Sequence, residues 1–157
     1  IRVFDPTSLI ETLAIAPISK SSAQQRAGRA GRLSDGRCFR LYTEQDFYKM
    51  ADTTVPEIQR SNLAAPILQL KAMGIDKLVQ KFEFMSPPPS QSMVAALELL
   101  YSLGALNDKA QITDLGAILA DLPLDPSTSR MILASQTLGC SEEIITISAM
   151  TSVPNMF

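Results

Sequence analysis

Three side chains between positions 25 and 32 have the types and the spacing needed to bind a polyphosphate. Gln25, Arg29 and Arg32 follow one another at i, i+4 and i+7. At about 100° per residue they would lie within about 60° of one another on one face of a helix. Guanidinium groups bind phosphate oxygens as planar forks and keep their charge. Two arginines and an amide on one rigid stripe therefore predict a triphosphate site.

Small residues on the rest of this helix favour the same interpretation. Ala27, Ala30 and Gly31 would lie opposite the arginine stripe and let the helix pack closely on a sheet. Gly28 would leave room for a ligand beside the stripe. Two glycines lower helix propensity by ~1 kcal/mol each, so a plain surface helix would not need them. The alternative is a basic helix that faces RNA and whose small residues are there by chance.

The composition is globular and excludes several kinds of site. The chain has 157 residues, a net charge of −2, 46% hydrophobic residues and no His, so a His base or a His metal ligand is excluded within it. Its two cysteines, Cys38 and Cys140, cannot form a Cys₄ zinc site, and we interpret them as thiols in the reducing nucleus or cytosol. No apolar run approaches the ~18 residues of a membrane span, so no membrane partner is expected.

The small net charge conceals a basic half and an acidic half. Residues 1–81 carry 12 Lys and Arg against 8 Asp and Glu, whereas residues 82–157 carry 2 against 8. Six of the cations fall between positions 20 and 40, where Asp35 alone opposes them. A cluster of this density favours an anionic ligand, and phosphate is the expected one.

The first third of the chain alternates between predicted strands and helices. Two apolar runs on either side of Asp5–Ser8 predict a β-hairpin over residues 1–16. Ser21 or Ser22 is expected to cap a helix that runs to about Gly31. A strand over Arg37–Tyr42 should follow, and then a short helix that is capped by Thr43 and runs through Met50. This alternation indicates the last part of an α/β sheet. Four aromatic residues could stack on bases but are expected in the core: Phe39, Tyr42, Phe47 and Tyr48.

The remainder of the chain is predicted to be mainly helical. Leu63, Ile67 and Leu70 predict a helix that ends at Gly74, and Pro87–Pro89 predicts an extended spacer. A further helix should start at Ser90 or Ser92, followed by a short strand over Ala110–Thr113. The apolar face of that helix is expected to comprise Met93, Val94, Leu97, Leu100 and Tyr101. Three further helices are predicted, with N-caps at Thr113, Asp125 and Ser141. The helix that follows Asp125 should end at Gly139.

The motif Gln25–Arg32, with the sequence QRAGRAGR, resembles motif VI of superfamily 2 helicases in its DEAH-box form. The resemblance continues in the flanking and downstream residues and covers essentially the whole chain. It is closest to the splicing-associated branch of the DEAH-box RNA helicases. The matching segment before the motif is Pro17–Lys20, and those after it are Cys38–Thr43, Val55–Leu63, Met85–Pro89, Ala96–Tyr101 and Cys140–Ile144.

This resemblance implies a mixed fold and a division into three parts. Residues 1–52 would be the end of a second RecA-like α/β domain with its β-hairpin. Residues 53–122 would form a mainly helical winged-helix domain, and residues 123–157 would begin a ratchet-type helical bundle. The chain is therefore expected to be a piece of a longer protein.

The resemblance also implies the role of each motif residue. Arg29 and Arg32 would be catalytic arginine fingers, and together with Gln25 they would bind the phosphates of ATP. Arg26 points about 100° away from Gln25 and is assigned to interdomain or RNA-side contacts. The hairpin at residues 1–16 would project toward the RNA path.

Half of an ATPase site is missing from the sequence. It has no G-x-x-x-x-G-K-[ST] loop and no Asp-Glu pair to hold Mg²⁺. Both would belong to a first RecA-like domain. The full-length protein is thus expected to be an ATP-dependent RNA helicase, and this chain alone is expected to be inactive.

The family resemblance implies RNA and protein partners in the nucleus or cytoplasm. RNA is the expected substrate, and glycine-rich activators or spliceosomal proteins are expected on the winged-helix domain. The competing interpretation is a non-catalytic winged-helix module that binds nucleic acid or protein. Residues 91–104 contain no Lys or Arg and include Glu98, which argues against duplex binding by that helix.

Overall fold

The computed structural model describes residues 1–75 and 82–153 as a two-stranded hairpin followed by mainly helical structure. This order agrees with the predicted mixed fold class. Residues 76–81, within the expected winged-helix domain, and residues 154–157, at the end of the expected ratchet-type bundle, lie outside the described residues. The elements are β1 (Arg2–Asp5), β2 (Ile10–Leu13), α1 (Lys20–Ala27), α2 (Glu44–Lys49), a 3₁₀ turn (Glu57–Gln59), α3 (Ala64–Ala72), α4 (Ser90–Ser102), α5 (Asp114–Asp121), α6 (Pro126–Leu138) and α7 (Ser141–Ser152).

The N-terminal hairpin is antiparallel, and its register pairs Arg2 with Leu13 and Asp5 with Ile10. The Asp5 carboxylate organises the turn by accepting the Thr7 N–H at 2.9 Å and the Ser8 hydroxyl at 2.7 Å. These bonds, the Thr7 N–H first, lower the pKa of Asp5. The predicted hairpin is confirmed, although β2 ends at Leu13 rather than near Ala16.

The main hydrophobic core lies where α3 packs against α4 and α5. Leu63 and Ile67 are buried and Leu70 packs against them, as their spacing predicts. Gly74 follows α3 with a left-handed φ of 83°, which confirms the predicted glycine at the helix end. The buried residues of this core are Leu63, Ala64, Ile67, Leu68, Met93, Ala96, Leu100, Ala105, Leu106 and Leu119.

The buried face of α4 differs from the predicted one. Val94 and Tyr101 are 52% and 57% exposed, whereas Ala96 is buried. Ala96 is small, so the helix can approach its neighbours closely along this line, and the buried face is centred there. Including Val94 and Tyr101 in the core was therefore wrong for this structure.

The predicted short strand over Ala110–Thr113 is reduced to one bridge, between Leu106 and Ile112. The side chain of Asn107 closes the loop between these two residues. Its Oδ1 accepts hydrogen bonds from the N–H groups of Lys109 and Gln111 at 3.0 and 2.9 Å. Thr113 then caps α5 by accepting the Gly116 N–H at 2.9 Å. The Thr113 cap is confirmed, but the strand over 110–113 is only a bridge.

The last two helices, α6 and α7, pack against each other as a pair. Asp125 caps α6 with Pro126 at its first position, and Gly139 ends it at a φ of 70°, all as predicted. The cap of α7 is Cys140 rather than Ser141, because Ser141 already has helical backbone. Among the described residues, no helix is long and apolar enough to cross a lipid bilayer.

Candidate functional site

Helix α1 begins two or three residues earlier than predicted and is held by hydrogen bonds at its N-terminus. Ser19 has extended backbone (φ −84°, ψ 164°), and its hydroxyl accepts the Ser22 N–H at 3.1 Å. Ser21 and Ser22 are already helical, so neither can be the cap. The expectation of a cap at Ser21 or Ser22 was therefore wrong.

A polar network joins the start of α1 to residues 51–54. The Thr54 hydroxyl lies 2.8 Å from the Ser19 hydroxyl and 3.1 Å from that of Ser22. The Lys20 ammonium donates to the Asp52 carboxylate at 2.8 Å. This hydrogen bond, followed by the positive charge of Lys20, lowers the pKa of Asp52. Both side chains of the pair reach solvent, so we regard it as a positioning contact of little net energy.

Helix α1 ends at Ala27, before Arg29 and Arg32. Gly28 is its C-cap, and the chain continues in tighter turns in which Arg29 N–H donates to the Arg26 carbonyl at 3.1 Å. Gly31 then adopts a left-handed φ of 85°, which helix geometry does not allow. Glycine weakens a helix, and α1 stops at Gly28. The prediction that Gln25, Arg29 and Arg32 share one helix face was therefore wrong.

The chain from position 28 to 36, called the arginine loop here, folds back on itself. A Cβ atom built on Gly36 would lie 2.6 Å from the Gly31 nitrogen and 3.0 Å from the Ala30 Cβ. Only glycine therefore fits at position 36 without a shift of the loop. The fold-back creates an open depression of about 530 Å³, lined by Arg29, Gly31, Arg32, Leu33, Ser34, Asp35 and Gly36.

The depression brings together two of the three predicted phosphate ligands. Arg29 and Arg32 both line it, whereas Gln25 lies on α1 outside the lining. All three side chains are exposed. Within the described ranges, the single salt bridge is the one between Lys20 and Asp52, so neither arginine is neutralised by an ion pair there. Two exposed guanidinium groups at one open surface can chemically bind a polyanion that approaches from outside.

The predicted strand over Arg37–Tyr42 is absent, and its residues form irregular chain that is exposed up to Leu41 and partly buried at Tyr42. A strand requires a hydrogen-bonding neighbour, and the described residues offer none beside this segment. Phe39 is 81% exposed and Tyr48 is 67% exposed, so the core interpretation of these two aromatic residues does not hold here. Phe47 is half-buried, with the Arg40 guanidinium 4.6 Å from its ring centre.

Metal ligands are not assembled in the part of the chain that the structure describes. Within it, no three His, Cys, Asp or Glu side chains are grouped so that they could hold an ion. Cys38 is exposed and Cys140 is partly buried, and both are free thiols.

Two residues that join distant segments of the chain could not be found from the sequence. Thr54 bonds to the start of α1, and Arg60 bonds to β1, its Nη1 donating to the Arg2 carbonyl at 2.9 Å. Both contacts join positions more than 30 residues apart. Local periodicity and capping patterns carry no signal for such pairs.

Family models match the C-terminal part of the chain. The model described as "Helicase associated domain (HA2), winged-helix" matches residues 96–124. The model described as "Helicase associated domain (HA2), ratchet-like" matches residues 125–157. The two matches follow each other without a gap.

Curated relatives align with the whole chain. It is 53% identical over 158 aligned residues to "Probable ATP-dependent RNA helicase DHX35" from Homo sapiens, covering 100% of this chain and 22% of the relative. It is 50% identical over 155 residues to "Pre-mRNA-splicing factor ATP-dependent RNA helicase prp22" from Schizosaccharomyces pombe, covering 98% of this chain and 13% of that protein. The chain thus spans about a fifth or less of the length of these relatives.

A solved structure shares the fold over the full chain. The crystal structure of the E. coli DExH-box NTPase HrpB superimposes with a TM-score of 0.82 and 29% sequence identity. The superposition covers 100% of this chain and 19% of the HrpB chain. The hairpin and the helices that follow it therefore have the arrangement of a segment of that NTPase.

Proposed function

We propose that this chain, which is homologous to a segment of the DEAH-box RNA helicases, works as part of an ATP-dependent RNA helicase. That enzyme would couple ATP hydrolysis to RNA translocation, unwinding or remodelling of ribonucleoproteins. The observation that carries this proposal is identity of 50% or more, along essentially the whole chain, to two proteins named as ATP-dependent RNA helicases. An alignment of this extent includes the arginine loop as well as the helical part.

In this proposal Arg29 and Arg32 act as arginine fingers on ATP bound by another domain. Both line one open depression and both are exposed, as a contact across a domain cleft requires. Gln25, four residues before Arg29 and at the end of α1, would add an amide contact to the phosphates. Positive groups aimed at the transferring phosphoryl group stabilise the charge that spreads over its oxygens.

The described residues of this chain suit the phosphates of ATP but do not suit Mg²⁺. The two arginines suit a triphosphate, because guanidinium forks pair with phosphate oxygens. For Mg²⁺ the described residues offer no grouped carboxylates, so we assign no residue of this chain to the ion. It would be held by the first RecA-like domain, where it neutralises charge on the phosphates.

The proposed domain division follows the distribution of packing. Residues 1–52 would close the second RecA-like domain, residues 53–122 would form the winged-helix domain and residues 123–157 would start the ratchet-type bundle. The core formed by α3, α4 and α5 and the pairing of α6 with α7 support this division, although α6 also contacts α5 and packs its Leu133 against the core.

RNA and splicing proteins are the proposed partners, and the nucleus is the proposed compartment. This rests on the relative named as a pre-mRNA-splicing factor. A glycine-rich activator would bind the winged-helix domain. Helix α4 carries no Lys or Arg and exposes Glu98, so a protein partner suits this domain better than an RNA duplex does.

We expect the full-length protein to show RNA-stimulated ATP hydrolysis, whereas the 157-residue chain alone hydrolyses none. The chain lacks the phosphate-binding loop and the Mg²⁺ carboxylates, so its arginines have no bound nucleotide to act on. Phosphate release, measured for both proteins with and without single-stranded RNA, tests this. Turnover by the purified chain, with contaminating ATPases excluded, would contradict the half-site assignment. Absence of RNA-stimulated turnover in the full-length protein would favour the binding-module alternative.

Shortening the hairpin turn at Asp5–Ser8 in the full-length protein should reduce unwinding more than RNA-stimulated ATPase. The hairpin contains none of the arginine-loop residues. It borders a cleft of about 740 Å³ with Phe4, Leu9 and Glu11, opposite α3 and residues 122–127. This position supports a role in guiding or separating RNA. The two rates measured on one duplex substrate decide the matter, and an equal loss of both would contradict the assignment.

A further inference from the structure

Residues 51–60, called the strap here, are bonded to the helix that leads into the arginine loop. The Ala51 and Asp52 carbonyl oxygens accept the N–H groups of Lys20 and Ser21 at 2.8 and 3.0 Å. Thr54 adds its hydroxyl contacts to the cap of α1. The first turn of α1 therefore has backbone and side-chain bonds to one end of the strap.

The other end of the strap is bonded to the hairpin through a single residue, Arg60. Its carbonyl oxygen accepts the Phe4 N–H at 2.7 Å, and its guanidinium donates to the Arg2 carbonyl at 2.9 Å. The same guanidinium reaches back to the Val55 carbonyl at 3.4 Å. Arg60 thus bridges the strap and β1 from both its backbone and its side chain.

Buried packing reinforces this junction. Phe4 is 7% exposed, and its neighbours along the cleft include Asn62 and Ala65 at the start of α3. The rest of the hairpin is more exposed, and every residue of β2 is exposed. The position of the hairpin consequently depends on Phe4 and on the two Arg60 hydrogen bonds.

We propose that Arg60 is a positioning residue that fastens the hairpin to the strap and so couples the position of the hairpin to helix α1 and its arginine loop. The arginine loop and the hairpin are joined by an unbroken series of covalent and hydrogen-bonded links. It runs from the arginine loop through α1 to Thr54, then along the strap to Arg60 and β1. A chain of discrete hydrogen-bonded contacts of this kind can carry coupling between two sites. The inference rests on the proposed helicase function, because that function gives the hairpin and the arginine loop their separate tasks.

Amide hydrogen exchange in the full-length protein tests the fastening independently of any activity. Arg60→Met removes both guanidinium bonds while keeping an unbranched side chain of similar reach. Exchange of the Phe4 amide and its β1 neighbours should accelerate about ten- to a hundredfold, the factor expected for loss of a hydrogen bond from a charged donor. Lys49→Met, which removes a positive charge from exposed α2 without removing a hydrogen bond of the strap, should leave β1 unchanged. Unaltered β1 exchange in Arg60→Met would overturn the proposal.

The number of base pairs unwound per ATP hydrolysed tests the coupling. This ratio should fall in Arg60→Met and be partly restored in Arg60→Lys, because lysine can still donate to one carbonyl. Thr54→Val, which removes the two hydroxyl contacts at the other end of the strap, should lower the same ratio, and Lys49→Met should not. If the wild-type protein has no RNA-stimulated ATPase, the proposed function fails. If the wild type is active and Arg60→Met and Thr54→Val keep its ratio with an unchanged melting temperature, the coupling inference fails.

Discussion

The full-length protein carrying Arg32→Lys is expected to hydrolyse ATP about 10³-fold or more slowly than the wild type. Arginine fingers contribute ~10³–10⁵ to kcat in phosphoryl-transfer enzymes. Lysine keeps the charge but loses the planar fork, and its ammonium is more strongly hydrated. Single-turnover hydrolysis with saturating ATP and RNA measures the effect directly.

Nucleotide affinity should change much less than kcat in the same variant. The contact is most important in the transition state, so its loss lowers kcat without a matching loss of ground-state binding. RNA affinity without nucleotide should also stay close to that of the wild type. Fluorescent nucleotide and RNA titrations at several salt concentrations give both constants.

Arg37→Lys is the matched control, because Arg37 is an exposed arginine of the same basic segment that does not line the depression. Its hydrolysis rate should stay near the wild-type value. Near-normal turnover in Arg32→Lys, combined with weaker RNA binding and a smaller salt slope, would identify Arg32 as an RNA phosphate contact. The basic-helix interpretation would then replace the arginine-finger one.

The ends of helices could be predicted where a single capping side chain or a glycine decides them. Thr43, Thr113 and Asp125 cap their helices as expected, and Gly139 ends α6 in the left-handed conformation. Each of these features depends on one side chain and the nearest backbone N–H groups. No distant residue has to be known.

The end of α1 shows where periodicity fails. The i, i+4, i+7 spacing of Gln25, Arg29 and Arg32 is compatible with one helix. Spacing alone does not show that the helix extends as far as Arg32. Gly28 and Gly31 end it at Ala27, so Arg32 is placed by the fold-back of a loop. The chemistry inferred from the residue types is retained in the proposal, while the geometry inferred from the helical wheel is not.

Contacts between distant segments could not be derived from the sequence at all. The absent strand at Arg37–Tyr42 depends on a neighbouring strand, and the buried face of α4 depends on which helices surround it. The bonds of Thr54 and Arg60 likewise depend on how the hairpin and α1 lie in space. These features follow from tertiary packing, which local patterns do not encode.

Gly36→Ala in the full-length protein should reduce kcat for ATP hydrolysis by about 10²-fold while leaving the melting temperature nearly unchanged. The added Cβ would lie 2.6 Å from the Gly31 backbone nitrogen, and a backbone atom cannot move aside without shifting the loop. The resulting displacement of Arg29 and Arg32 is of the size that costs about 10²-fold in rate when reacting groups are misplaced by 1 Å. The exposed loop lies outside the α3–α4–α5 core, so global stability should be little affected.

Ser21→Ala is a suitable control for this variant, because it adds no atom and the Ser21 side chain is exposed on α1. The wild type, Gly36→Ala and Ser21→Ala would be compared by single-turnover hydrolysis and thermal unfolding. A defect confined to kcat in Gly36→Ala would mean that the fold-back of the loop positions the arginines for the transition state. Wild-type kcat in Gly36→Ala would mean that the arginines reach the phosphates in a loop conformation that does not need the close approach of Gly36 to Gly31. The open depression would then be irrelevant to catalysis, even if Arg32→Lys is inactive.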